Sequence, residues 1–150
     1  MFYKINEKTQ ALMKVDENYY RTKIIEEDGI KYSPLSPLKI LDENCIMNGA
    51  SLEGRTQTVK EILNSKSKLP IPVLLQKGIY MFPTTSAKNS NCIWLSYYQI
   101  KQYVQNGKQA LVYLSDDKSI DVKTSWNQLD SQIKRTSQVI AYFHRLFLNM

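Results

Sequence analysis

The stretch Gly49-Ala-Ser51-Leu-Glu-Gly54-Arg55-Thr56 places a base and a hydroxyl directly after two spaced glycines. One substitution would turn it into G-x-x-x-x-G-K-T, the loop that cradles nucleotide phosphates. There, glycines let backbone N–H groups converge on a β-phosphate, a lysine reaches the β and γ oxygens, and a hydroxyl holds Mg²⁺. ALVYLSD (110–116) has the form of the apolar strand that ends in a magnesium-holding aspartate. Arg55 fits poorly, because a planar fork does not replace a compact ammonium. The phosphates of a nucleic acid are a second reading: an arginine binds phosphate bidentately, helix N-termini favour anions, and a narrow A/T-rich minor groove attracts arginine. The plainest reading is the start of a helix capped by Ser51.

Other reactive groups are few. Cys45 and Cys92 stand far apart and form no C-x-x-C pair, and His144 is the only histidine. A zinc site of the usual kind is not expected. A Ser-His-Asp arrangement would depend on His144, which sits in an apolar helical stretch and reads as a core or surface residue. No cofactor is expected. The two thiols read as reduced and buried in a cytoplasmic protein. MFYKINEKTQ has no apolar run after its first lysine, so no signal peptide is expected. No apolar run reaches the 18 residues of a membrane span.

The formal net charge of +6 is unevenly placed. Between Gly54 and Ser115 the bases Arg55, Lys60, Lys66, Lys68, Lys77, Lys88, Lys101 and Lys108 stand against one acid, Glu61. Before Gly54, acids outnumber bases. Positive charge gathered in one stretch attracts polyanions, whereas lysines scattered over a solvated surface only aid solubility. Tyr97, Tyr98 and Tyr103 interleave with this stretch and read as core or interface rather than as stacking platforms for bases.

The elements that must position these groups follow from periodicity. FYKI (2–5) and ALMKV (11–15) suggest an N-terminal hairpin, and YYRTKII (19–25) another strand, followed by the turn EEDG. SPLSPL (33–38) is a join, because two prolines interrupt it. Leu38, Leu41 and Cys45 have helical spacing. Residues 51–63 read as a helix capped by Ser51, or by Thr56 or Thr58 if Gly54 delays its start. NSKSKLPIP is a basic loop, VLLQKGIYMF a hairpin turning at Lys-Gly, PTTSAKNSN a polar loop without an acid, and CIWL a buried strand. YYQIKQYVQ (97–105) reads as a short helix capped by Ser96 and stopped by Asn106-Gly107. QALVYL and SIDVK form a hairpin, and Ser125–Leu148 a long helix whose last turns, IAYFHRLFL, are apolar on most sides. The fold class is therefore α+β. It is a single domain over 1–150, with a mainly antiparallel sheet built from hairpins and three helices, the last long and C-terminal. A phosphate loop should follow a buried parallel strand, and DENCIMN (42–48) is a poor one.

The order of short motifs from Cys45 to Tyr103 resembles the bacterial competence transcription factor family, ComK. The family pattern S-x-x-G-R is met by Ser51-Leu-Glu-Gly54-Arg55, and K-x-P-I by Lys68-Leu-Pro70-Ile71. Phe82-Pro83-Thr84 and Cys92-Ile-Trp94-Leu-Ser96 follow in register, then Ser125-Trp126 and Gln132-Ile-Lys-Arg135-Thr136. The similarity covers about residues 38–137.

The resemblance implies a transcription regulator, not an enzyme, that binds paired A/T-rich boxes in double-stranded DNA. It implies binding mostly through the minor groove, as a homodimer or tetramer in the cytoplasm on the nucleoid. It also implies control by a Clp-type protease through an adaptor. Arg55, Lys60, Lys66, Lys68 and Lys88 are the expected contacts, with Asn89 and Asn91 as groove readers. Arg135 is either a contact or the partner of an acid in a dimer interface, and the apolar face of Ser125–Leu148 is the expected dimer contact. Gly54, Pro83, Trp94 and Trp126 read as scaffold. The family often has a base where Thr56 stands, and well-known members continue past the Arg135-Thr136 motif into a polar tail. The chain thus reads as a short member. A nucleotide-binding enzyme built on Gly49–Thr56, and a paralogue that binds a partner without activating transcription, are the alternatives.

Overall fold

The computed structural model describes residues 2–149. Strand β1 (Thr9–Glu17) turns at Asn18 into β2 (Tyr20–Glu26), and β3 (Gly29–Ser33) follows across the expected turn. In β2, buried Thr22, Ile24 and Glu26 alternate with less buried neighbours, the period of two that a strand requires. Residues 2–5 do not form the first arm of a hairpin. β1 pairs with β2 instead, and side chains hold the backbone of 2–5, chiefly Asn44, with Asn6 Nδ2 donating to the Lys4 carbonyl at 3.1 Å. Ile5 N–H donates to Asn44 Oδ1 at 2.8 Å, and Asn44 Nδ2 donates to the Tyr3 carbonyl at 2.8 Å.

Helix α1 (Pro37–Met47) starts inside the proline-rich join. Ser36 caps it, accepting from Lys39 N–H at 3.2 Å, and Pro37 occupies the first turn, where no amide partner is lost. Helix α2 (Leu52–Leu63) begins at the Ser51 cap, with Gly54 N–H donating to Ser51 Oγ at 3.0 Å. Thr56 and Thr58 are not caps, and Thr56 Oγ1 donates to the Glu53 carbonyl at 2.9 Å. A methyl group at Gly54 would meet only the Ser51 hydroxyl, at 3.4 Å, so no close backbone approach demands this glycine.

β4 (Ile71–Leu74) and β5 (Ile79–Pro83) are joined by a 3₁₀ turn ending in left-handed Gly78, and β6 (Ile93–Ser96) completes the large sheet. Its order is β3-β2-β1-β6-β5-β4, with every pair antiparallel. Residues 97–105 correct the sequence reading. Only Tyr97–Gln99 turn, as a 3₁₀ segment, and Ile100–Asn106 form strand β7. An irregularity between Ile100 and Gln102 puts Ile100 and Tyr103, three residues apart, on the same half-buried side. That bulge imitates a helical period. Gly107-Lys108 is the hairpin turn into β8 (Gln109–Leu114), which pairs with β9 (Ser119–Val122) in a second, three-stranded sheet. Helix α3 (Trp126–Leu148) follows its Ser125 cap. The three helices are thus α1, α2 and α3.

The large sheet is buried on both faces around β1, β5 and β6, while the β3 edge is exposed. Leu12, Ile24, Ile71 and Trp94 pack with Ile40, Leu41 and Cys45 of α1. On the other face Ala11, Phe82, Ile93 and Leu95 meet Val112 and Leu114 of the small sheet and Leu129 of α3. Val59, Leu69, Tyr80 and Val139 join α2 and α3 beside β5. Burial on both faces is why β5 and β6 read as apolar runs rather than alternating strands. No helix among the described residues is long and apolar enough to cross a membrane. Phe82 is fully buried between the sheets. Phe82→Ala should cost about 3–5 kcal/mol, read as a shifted midpoint in chemical denaturation.

Candidate nucleic-acid interface

Strand direction decides which loops meet. β4, β5 and β6 run antiparallel, with Ile71 opposite Met81 and Pro83 opposite Trp94. The segment 64–70 entering β4 and the connection 84–92 between β5 and β6 therefore leave the sheet at one end. The β1–β2 turn lies at that end too, because Met13 stands opposite Ile93. Both basic loops meet the first half of α3. Gln132, buried in this helix, donates from one Nε2 to the carbonyls of Lys68 (2.9 Å) and Pro83 (2.7 Å). Arg135, one turn further, donates through Nη1 to Lys68 O (3.1 Å) and to Gln132 Oε1, and through Nη2 to Ser67 O (2.9 Å) and Ser65 Oγ (3.1 Å). Lys68 is held in the left-handed region, φ 52°, with two donors on its carbonyl. Burial alone lowers the Arg135 guanidinium below its ordinary pKa.

Loop 84–92 is folded by its own polar groups. Thr84 N–H donates to Ile93 O at 2.9 Å, and Thr84 Oγ1 accepts from Ile93 N–H at 3.0 Å. Asn89 Oδ1 accepts from Asn91 N–H at 2.8 Å, so half of this amide is committed to the turn, while Asn91 lines a cavity of about 170 Å³. Lys14, Ser90, Asp121 and Lys123 line the same cavity, and Lys14 Nζ donates to Ala87 O at 2.5 Å. Lys66, Lys88, Asn89 and Asn91 are exposed, and Lys60 and Lys68 are half-buried.

The charges sort by place. Of the basic stretch, Lys77 pairs with Glu7 at 3.2 Å and Lys101 with Asp117 at 2.8 Å. Among the described residues Arg55, Lys60, Lys66, Lys68, Lys88 and Arg135 have no carboxylate within 4.0 Å. Loops 64–70 and 84–92 contain no acid.

Arg55 stands apart. It lines a cavity with Leu74, Leu75 and Phe147, at the opposite end of β4 and of α3. Phe147 lies twelve residues beyond Arg135, roughly 18 Å along the helix axis. Gly49–Thr56 follows a helix rather than a strand, and most of its amides are occupied. Leu52 N–H donates to Asp42 Oδ1 (3.0 Å), Gly54 N–H to Ser51 Oγ, and Arg55 N–H to Ser51 O (3.0 Å). A carboxylate already sits where a nucleotide phosphate would go.

The remaining candidates resolve simply. Tyr97 bonds Ser137 at 2.6 Å. Tyr103 donates to Asp130 at 2.6 Å and packs on Trp126, so both spend their surfaces on the core, while Tyr98 is exposed. Burial, then Asp130, pushes the Tyr103 phenol up to about 12. Both cysteines are free and buried, and burial raises the Cys45 thiol to about 11. His144 is exposed, and no cluster of three metal-ligating side chains occurs among the described residues. Sequence reasoning missed Lys14 and Lys123, which strand pairing brings beside loop 84–92. It also missed Asn127, Gln128 and Ser131, which share a cavity of about 280 Å³ with Lys68 and Arg135. Only the amide-rich start of α3 could have signalled the second group.

Two acid-free basic loops are thus pinned on one α+β scaffold. The ComK protein family model matches residues 2–146, and the chain belongs to that family. It is 30% identical over 137 residues to the competence transcription factor of Bacillus subtilis (strain 168), covering 90% of this chain and 71% of that protein. The family is one of transcription factors, not of enzymes. No solved structure matches the chain.

Arg135→Met should release residues 65–68. We expect a loss of roughly 2 kcal/mol in stability, and faster amide exchange at Ser67 and Lys68. Arg135→Lys should restore little, because one ammonium cannot reproduce the fork.

Proposed function

We propose that the chain is a sequence-preferring, double-stranded DNA-binding regulator of competence genes, acting in the cytoplasm on the nucleoid. Its DNA face is the end of the large sheet formed by loops 64–70 and 84–92. The observation that carries this is the set of unpaired lysines on two acid-free loops, pinned to α3 by Gln132 and Arg135. Lys66, Lys68 and Lys88 meet phosphates, which supply affinity without sequence information, and Lys60, Lys14 and Lys123 extend the field around them. Asn91, and the free half of the Asn89 amide, reach base edges. Preference for paired A/T-rich boxes, read mainly in the minor groove, follows from family membership and from the groove's width and deformability. Arg135 acts through the loop that it holds. Arg55 is outside this face.

A dimer or higher oligomer matches paired half-sites by symmetry. Tyr142 and Leu146, exposed on the outer side of α3, are the self-association surface. Leu146→Glu should lower the assembly state seen in sedimentation.

The test is a salt series of gel shifts on paired A-tracts and on a G/C-rich duplex. A/T-rich DNA should bind more tightly. Lys66→Ala and Lys88→Ala should each weaken binding to both duplexes and reduce the salt slope by about 1. Asn91→Ala should narrow the gap between duplexes, and Arg55→Ala should leave affinity within about twofold. Equal affinity for both duplexes, or binding indifferent to salt, would refute the reading.

A further inference from the structure

Arg55 carries a charge that the fold leaves uncompensated. Nη2 donates to the Asn48 carbonyl at 3.1 Å, and Nε is buried without any acceptor, one of two such side-chain atoms among the described residues. Asp42 is close enough to influence Cys45, but its Oδ1 is taken by Leu52 N–H. A buried guanidinium Nε–H left without an acceptor is costly, even where the rest of the fork keeps one carbonyl and some exposure. Buried polar atoms without partners are rare enough to require a reason, and an anion absent from the structure is one.

The surroundings specify that anion. A cavity of about 410 Å³ opens on Arg55 between the end of α1, the 3₁₀ turn after β4 and the last turns of α3, within the usual range for a bound small group. Its walls are Met47, Leu74, Leu75 and Phe147, and Asn48 and Gln76 complete the lining. Met47 and Phe147 are about half-exposed. Nucleic-acid phosphates are flanked by charge and sugar, and apolar walls give them nothing. A carboxylate carried beside aliphatic or aromatic side chains satisfies both the fork and the walls.

We propose that this cavity is a docking site for a protein partner, which inserts an acidic side chain flanked by apolar residues between α1 and α3 to pair with Arg55. The site lies at the opposite end of the domain from the basic loops, so partner and DNA can be held together. It does not rest on the DNA-binding reading.

The test is a phage-displayed random dodecapeptide library panned on the full chain, with Arg55→Gln as the counter-selection. Peptides with Asp or Glu between apolar residues should be enriched. Their affinity should fall at least tenfold on Arg55→Gln and on Arg55→Lys, and on replacing the acid by its amide. The Arg55 Nε–Hε resonance should shift saturably with the peptide and stay in place with an A/T-rich duplex. Arg55→Gln should melt no lower than the parent, because the buried Nε–H that it removes has no acceptor. Three results would overturn the proposal: enriched peptides without an acid, binding that survives both substitutions, or a Nε–Hε shift on adding DNA. A lower melting temperature for Arg55→Gln would instead assign the arginine to the scaffold.

Discussion

One buried side-chain amide organises the basic end of the molecule. The Gln132 Nε2 group bonds two carbonyls that are far apart in the chain, those of Lys68 and Pro83, and Arg135 adds a second donor to Lys68. The chain enters β4 at the first of these points and leaves β5 at the second. Both loops therefore start from fixed positions, although neither contains regular structure. A loop that carries charge toward a polyanion gains from such anchoring, because ordering it on binding would otherwise oppose the association.

The anchoring makes sense of how charge is distributed. Lys77 and Lys101 belong to the same basic stretch as Lys66 and Lys88, yet each has a carboxylate partner elsewhere on the surface. Three bases of that stretch, Lys66, Lys68 and Lys88, are left without a carboxylate on the two loops. Arg135 looks by type like another contact, but its donors are spent on the backbone of 65–68. Its work is to hold lysines, not to join them.

Much of this was legible in the sequence. Serines at 36, 51 and 125 cap the three helices, although only Ser51 stood out as a cap, and Ser96, read as another, makes no side-chain cap bond. The β8–β9 hairpin and the long final helix follow from plain periodicity. Two elements were not legible. Residues 2–5 look like a strand, but they find their partners in the amide of Asn44, on a helix placed by tertiary packing. Residues 97–105 look like a helix because a bulge spaces Ile100 and Tyr103 three residues apart. At the site, the lysines were visible as a run of charge. Separating Arg55 from them required the strand directions, since residues close in sequence lie at opposite ends of one helix. Lys14 and Lys123 gave no local signal, because only the pairing of β1 with β6 and the stacking of the two sheets bring them to loop 84–92.

The left-handed backbone at Lys68 bears on how this protein can change over generations. Glycine or asparagine would occupy φ 52° at less cost than lysine, by about 1 kcal/mol. Either would be accepted by the fold and would silence a charge at the loop. Stability and local charge therefore pull this position in opposite directions. Drift toward a more comfortable backbone here would yield a sturdier protein with one base fewer between β4 and α3.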